Sequence, residues 1–268
     1  MRLALAGAYF EQESRLSEIE RNGSSLYYQT SGADSPVLLT HGFAATSRMW
    51  RGQAEAFRHR HQVITWDMRG HGRSGSPHDQ SAYSMEETLA DMAALLDALG
   101  VDRAILGGHS LGGYLSLAFC MRFPERVQAL LVVGTGPGYK SDAPREQWNE
   151  TADGLARRLV RDGLEHLTKL SSEMDGSEHS SASGLAMAAR GTLIQRDSAV
   201  IDSLGDIAVP TLVIVGEKDR SYRAASDYMA KRIPGAAQVV IPDAGHAVNL
   251  HQPERFNEVV GSFLERVG

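Results

Sequence analysis

The segment Gly107-Gly108-His109-Ser110-Leu111-Gly112-Gly113 sets a serine among glycines. It directly follows the apolar run Ala104-Ile105-Leu106 and opens an apolar helical pattern over residues 114–123. A Gly-x-Ser-x-Gly sequence between a strand and a helix makes a turn so tight that only glycine fits beside the serine. The serine oxygen is left exposed, and the helix N-terminus behind it favours a developing negative charge. That is the chemistry of an activated nucleophile. The five residues alone also fit an ordinary strand-to-helix turn, so the partners of such a nucleophile must be sought elsewhere in the chain.

A serine hydroxyl is a poor nucleophile at neutral pH and needs an adjacent base. Two later apolar runs end in suitable groups. Residues 211–215 lead into Gly216-Glu217-Lys218-Asp219, and residues 239–241 lead into Pro242-Asp243-Ala244-Gly245-His246. His246 would accept the Ser110 proton and return it to the leaving group. Asp219 would fix the imidazole tautomer. Glu217, nearer the strand end, is the second choice for the acid. Asp243 lies too close to His246 in sequence and suits a turn. The run 127–133 ends in Gly134-Thr135-Gly136-Pro137 and offers no acid before Asp142. Acyl transfer also needs two backbone N–H groups aimed at the oxyanion. Leu111, after the nucleophile, supplies one. Phe43, in the loop Thr40-His41-Gly42-Phe43 after another apolar run, supplies the other, with His41 holding that loop.

Together these stretches resemble an α/β-hydrolase-fold enzyme from about residue 16 to residue 267. The stretch Asp67-Met68-Arg69-Gly70-His71-Gly72-Arg73-Ser74 resembles that family's D-x-R-G-x-G-x-S, and Gln252-Pro253-Glu254 fits its closing pattern. The Ser, Asp, His order is the order this fold uses. Gly-His-Ser-Leu-Gly-Gly resembles the serine esterase, lactonase and perhydrolase members. The resemblance implies a carboxylic ester or lactone hydrolase with catalytic Ser110, Asp219 and His246, an oxyanion hole at Phe43 and Leu111, and no cofactor or metal. Meta-cleavage carbon–carbon hydrolases usually show Gly-Asn-Ser-Met-Gly and a Trp after the histidine, where this chain has His109, Leu111 and Ala247. Epoxide hydrolases and haloalkane dehalogenases use an Asp nucleophile, against which Ser110 argues. A carbon–carbon hydrolase of diketones, a cofactor-free perhydrolase and a small-molecule receptor on the same scaffold are the alternatives.

The elements that must hold these residues alternate. Residues 16–21 and 25–30 read as a hairpin around Asn22-Gly23. Strands follow at 36–40, 62–66, 104–106, 127–133, 211–215 and 238–241, with helices at 50–57, after Ser84 and from Phe256 on. Ser84 opens a capping box with Glu87, and Leu89, Met92, Leu95, Leu96 and Leu99 line one helix face. This predicts an α/β fold, a mostly parallel central sheet with helices on both faces. The rhythm breaks over residues 139–209, read as a helical cap inserted into a core of residues 1–138 and 210–268. Helices are expected there at 152–160, 163–170 and 186–194, and a mobile linker at 171–183. Such a cap sets substrate choice. His109, Trp148 and Ile194 are the candidates for substrate contact. Trp148, Leu167, Met174, Met187 and Ile194 could all face a ligand, and packing of the cap on the core is the favoured reading for each.

Composition sets bounds. The chain has 268 residues, 42% of them hydrophobic, and a net charge of −6 from 27 basic and 33 acidic side chains. That argues against nucleic acid, which needs a basic patch. No stretch approaches the ~20 apolar residues of a membrane span. The one cysteine, Cys120, forms no intramolecular disulfide and fits a reducing compartment. Residues 1–14 read as a poorly packed extension rather than a signal peptide, and a cytoplasmic enzyme acting on a small molecule is expected. The histidines are scattered without zinc-ligand spacing. A homodimer is left open, since no apolar stripe beyond the core pattern marks an interface.

Overall fold

Asn22 and Gly23 both take positive φ, 46° and 71°. This is the geometry that matches the twist of two hairpin strands. It folds β1 (Arg15–Arg21) back on β2 (Ser24–Ser31) as an antiparallel pair. The computed structural model describes residues 15–168 and 174–268, so the reading of residues 1–14 lies outside the described residues. β3 (Ser35–Thr40), β4 (His61–Trp66), β5 (Ala104–His109), β6 (Val127–Val133), β7 (Thr211–Gly216) and β8 (Ala237–Ile241) complete one eight-stranded sheet. Its order is β1-β2-β4-β3-β5-β6-β7-β8. β2 meets β4 antiparallel, and every pair from β4 onward is parallel.

Alternation along these strands divides the apolar side chains between two faces. Leu38, Ile64, Leu106, Leu130 and Val213 pack with Met92, Leu95, Leu115 and Phe119. These come from α2 (Met85–Ala98) and α3 (Leu111–Arg122). Val37, Leu39, Val63, Ile105 and Leu131 pack with Phe57, Phe256, Val260 and Phe263 on the opposite face. Those belong to α1 (Arg51–Phe57) and to the closing helix Pro253–Val267. The expected capping box forms by half. Ser84 Oγ accepts from the Glu87 N–H at 3.0 Å, but the Glu87 carboxylate turns to Arg21 at 2.7 Å instead of back to the cap. β5 runs three residues past its expected end, through Gly107, Gly108 and His109. Pairing with β3 and β6 on both sides holds these residues extended, although glycine disfavours a strand.

Between β6 and β7 the described residues contain helices and turns only: α4 (Asp142–Asp162), α5 (Glu165–Thr168), α6 (Ala182–Gly191) and α7 (Ala199–Asp202). α4 begins ten residues before the apolar periodicity does. Its first half is largely exposed, and only Ala152, Ala156 and Leu159 are buried. α6 is capped by Ser181, whose hydroxyl accepts from the Gly184 N–H at 2.9 Å, and it ends at Gly191, before Ile194. The expected linker over 171–183 lies partly outside the described residues, and its described part is bound to the core. Thr46 Oγ1 donates to Glu178 Oε2 at 2.5 Å. His179 accepts from the Gly72 N–H and donates to the Ala44 carbonyl, each at 3.0 Å. After β7 come α8 (Arg223–Arg232), α9 (Val248–His251) and α10, the closing helix. Among the described residues, no helix is long and apolar enough to cross a membrane.

α3 crosses the sheet at very short range. A Cβ on Gly112 would lie 2.2 Å from the Thr40 carbonyl oxygen, a backbone atom that cannot swing aside. We expect Gly112→Ala to force α3 off β3, at about 1–3 kcal/mol or more. A circular-dichroism melt should show a midpoint lower by roughly 5 °C or more. An unchanged midpoint would mean that the helix has room there.

Candidate active site

Ser110 sits between β5 and α3 with φ 52° and ψ −117°. That region is strained for a residue with a side chain, at a cost of about 1–3 kcal/mol, and such strain clusters at functional sites. Two contacts hold it there. A Cβ on Gly108 would meet the Gly112 carbonyl group at 2.2 Å, so the two glycines flanking the serine permit the turn. The Ser110 N–H donates to the Val133 carbonyl on β6 at 2.9 Å.

Asp219 and His246 arrive from the loops after β7 and β8. His246 Nδ1 donates to Asp219 Oδ2 at 2.8 Å, with the carboxylate buried. The other carboxylate oxygen accepts from the Tyr222 N–H at 3.3 Å. Donation from Nδ1 leaves Nε2 as the basic nitrogen. Ser110 and His246 line the same cavity. The competing acids are engaged elsewhere. Glu217 Oε2 accepts from the Asp243 N–H at 3.1 Å, and Asp243, at φ 59°, pairs with Lys218 at 2.9 Å.

The loop carrying Phe43 is fixed from beneath. His41 is fully buried; its Nε2 accepts from the Met68 N–H at 3.0 Å and its Nδ1 donates to the Gly42 carbonyl at 2.7 Å. Those bonds specify one neutral tautomer, and burial lowers the pKa to about 4. The Met68 segment is braced in turn. Asp67 accepts from the Ser47 and Arg73 N–H groups at 2.6 and 2.9 Å. Arg69 grips the buried Asp91 through two nitrogens at 2.6 and 2.8 Å. The Asp67–Ser74 stretch thus acts as a bracket under the loop. Neither the Phe43 N–H nor the Leu111 N–H donates to a described backbone carbonyl.

Two cavities meet at Ser110. One, of about 220 Å³, is walled by Phe43, Met49, Leu155, Met174, Leu250 and His246. The other, of about 160 Å³, is walled by Leu111, Tyr114, Thr135, Tyr139 and Gln195. Ser110, Trp148, Leu193 and Tyr222 border both. Among the expected contact residues, Trp148 lies here, its indole N–H donating to the Leu193 carbonyl at 2.9 Å. His109 borders the larger cavity. Its Nε2 donates to the His246 carbonyl at 3.1 Å, and burial lowers its pKa to about 3, so the ring is neutral. Ile194 is not a lining residue. It lies past the end of α6, where its neighbours Leu193 and Gln195 turn inward instead. Met174, one of the residues that could face a ligand, lines the larger cavity.

Tyr222 is the residue that sequence reasoning missed. Its ring stacks on His246 at 5.0 Å between centroids and 18° between planes. Burial pushes its phenol pKa up, and the nearby Ser110 hydroxyl offsets part of that push. Its place three residues after Asp219 was the available signal. Cys120 lies apart from the site; burial raises its thiol pKa to about 11, which leaves it protonated. Among the described residues, no group of three or more His, Cys, Asp or Glu could hold a metal ion.

Comparisons with known proteins bear on the family and the fold. Residues 35–182 match the family model described as the alpha/beta hydrolase fold. The 2-hydroxy-6-oxo-2,4-heptadienoate hydrolase of Pseudomonas putida is 32% identical, over 87% of this chain and 90% of that one. The 3-oxoadipate enol-lactonase 2 of Acinetobacter baylyi is 30% identical, over 90% and 94%. Among solved structures, a thermophilic esterase from Thermogutta terrifontis superposes with a TM-score of 0.81. It is 31% identical, covering 94% of this chain and 99% of that chain.

Two outcomes are expected. Asp219→Asn should cut kcat by about 10³–10⁴-fold, whereas Glu217→Gln should change it less than about twofold. Equal losses in steady-state kinetics would contradict the pairing. Burial also lowers the pKa values of His41, His71, His109 and His179. The unfolded chain therefore binds protons that the folded chain does not once pH falls below about 6.5, the ordinary histidine value. Urea midpoints should be flat above that pH and fall steadily from pH 6.5 towards 4. A flat profile to pH 4 would mean that these rings are charged in the folded state.

Proposed function

We propose that this chain, which belongs to the α/β-hydrolase family, is a serine hydrolase acting on an uncharged carboxylic ester or lactone of a small molecule. The observation that carries the reading is the 2.8 Å bond from His246 Nδ1 to the buried Asp219, beside a cavity that His246 shares with the elbow serine. In the first half-reaction the Ser110 oxygen bonds to the carbonyl carbon as His246 Nε2 takes the hydroxyl proton. The negative charge moves to the carbonyl oxygen, where the Phe43 and Leu111 N–H groups receive it. The carbon–oxygen bond to the leaving group then breaks, and the imidazolium returns its proton to that oxygen. Water repeats the sequence on the acyl-enzyme, giving the acid and free Ser110.

Uncharged walls favour this over an anionic substrate. Neither cavity is lined by Lys, Arg, Asp or Glu. A carboxylate buried there would lack a compensating cation. The named substrate of the Pseudomonas putida relative is a dienoate and would carry that charge. The described part of residues 139–209 acts in this reading as a lid, because Trp148 and Leu193 border both cavities and Leu155 and Met174 the larger one. The reaction is assigned to the cytoplasm, in keeping with a single buried thiol.

Hydrolysis of short p-nitrophenyl esters tests the reading. Wild type should turn over many times, and Ser110→Ala should lose about 10³-fold or more in kcat. Equal rates in the two proteins would overturn it.

A further inference from the structure

The two cavities differ in a way that assigns the two halves of the substrate. His246 has to return its proton to the leaving oxygen, and it lines only the larger cavity. The leaving alcohol therefore departs on that side, against Phe43, Met49, Met174 and Leu250, all apolar. The acyl group is left the smaller cavity. Its volume is about 160 Å³, against about 220 Å³ for the other cavity. Its far wall is polar and unpaired. Gln195 is 9% exposed, and its Oε1 has no hydrogen-bond partner. That oxygen lies 2.8 Å from where a Cβ on Gly138 would stand, so a glycine is what lets the amide in. The Tyr114 ring meets the same point at 3.3 Å, with the residue 7% exposed. The Gln195 backbone is clamped by Asn149, which donates to its carbonyl and accepts from its N–H, each at 2.8 Å. The amide is thus held at the cavity wall with its oxygen unpaired, and leaving a buried acceptor unpaired is costly. Arg145, the cation whose field reaches Tyr114, is occupied by Asp142 and the Tyr139 carbonyl.

We propose that the smaller cavity is the acyl subsite and that Gln195 and Tyr114 make it select a short, uncharged acyl group bearing a hydroxyl, which can donate to the Gln195 amide oxygen. This rests on the serine-hydrolase reading above and narrows it to open-chain esters with a polar acyl part and an apolar alcohol. A site built to hydrogen-bond a substrate oxygen rejects the analogue that lacks it.

The test compares kcat/KM for p-nitrophenyl 3-hydroxybutyrate, p-nitrophenyl butyrate and the p-nitrophenyl monoester of succinate. The hydroxy ester should exceed butyrate by about tenfold or more, and the succinate monoester should fall below butyrate by about tenfold or more. Gln195→Leu should bring the hydroxy-to-plain ratio close to one, and Tyr114→Phe should lower it. The second variant carries the same test should the first not fold. A ratio of one in wild type, a ratio unchanged in both variants, or preference for the succinate monoester would overturn the subsite assignment. Absence of Ser110-dependent turnover on all three esters would instead overturn the serine-hydrolase reading, and the inference with it.

Discussion

The Thr40 carbonyl oxygen stands 2.2 Å from where a Gly112 side chain would begin, and the Gly112 carbonyl group stands equally close to where one on Gly108 would begin. This stack of bare backbones lets β3, β5 and the start of α3 meet within one turn. Three consequences follow from it. Ser110 is forced to φ 52°, so its hydroxyl stands clear of the sheet. The Leu111 N–H opens the helix with no intrahelical partner. The loop after Thr40 passes close enough for Phe43 to border the same cavity as Ser110. The acid and base are then delivered by β7 and β8, whose loops cross at Gly216, where a side chain would strike the Ala244 and Gly245 carbonyls. Close backbone packing, rather than any single polar bond, gives the site its geometry.

A second constraint is that histidines are kept neutral around a site without fixed charge at its walls. His41, His109 and His179 each donate one ring N–H to a backbone carbonyl. Burial and these bonds together set the tautomers. His41 and His179 also join parts distant in sequence, His41 tying the Phe43 loop to the Met68 bracket and His179 tying the insertion to the loops at Ala44 and Gly72. A neutral ring can do this with both nitrogens, donating from one and accepting at the other.

How much of this the residues announce depends on where the information lies. The sheet strands were legible because Val, Ile and Leu runs are bounded by turn residues, and because Asn22-Gly23 demands a hairpin. Ser110, Asp219 and His246 were nameable because each follows a strand in the order Ser, Asp, His. The last three residues of β5 were hidden because glycines carry no strand signal, and their pairing comes from neighbours distant in the chain. The first half of α4 was hidden because an exposed helix has no apolar period. Ile194 carries the apolar side chain expected of a cavity wall. The turn after α6 instead presents Leu193 and Gln195, and no local pattern encodes which way such a turn faces. Tyr222 escaped because its role comes from stacking on a ring 24 residues away, a tertiary contact.

The central claim is that Ser110 is the nucleophile. It is tested most directly by exposing the folded protein to a fluorophosphonate, which bonds to an activated serine with loss of fluoride, and mapping the modified peptide by mass spectrometry. The account predicts one adduct, on Ser110, that forms rapidly in wild type and is suppressed in His246→Ala. An adduct on another residue, or no adduct on protein shown to be folded, would contradict it.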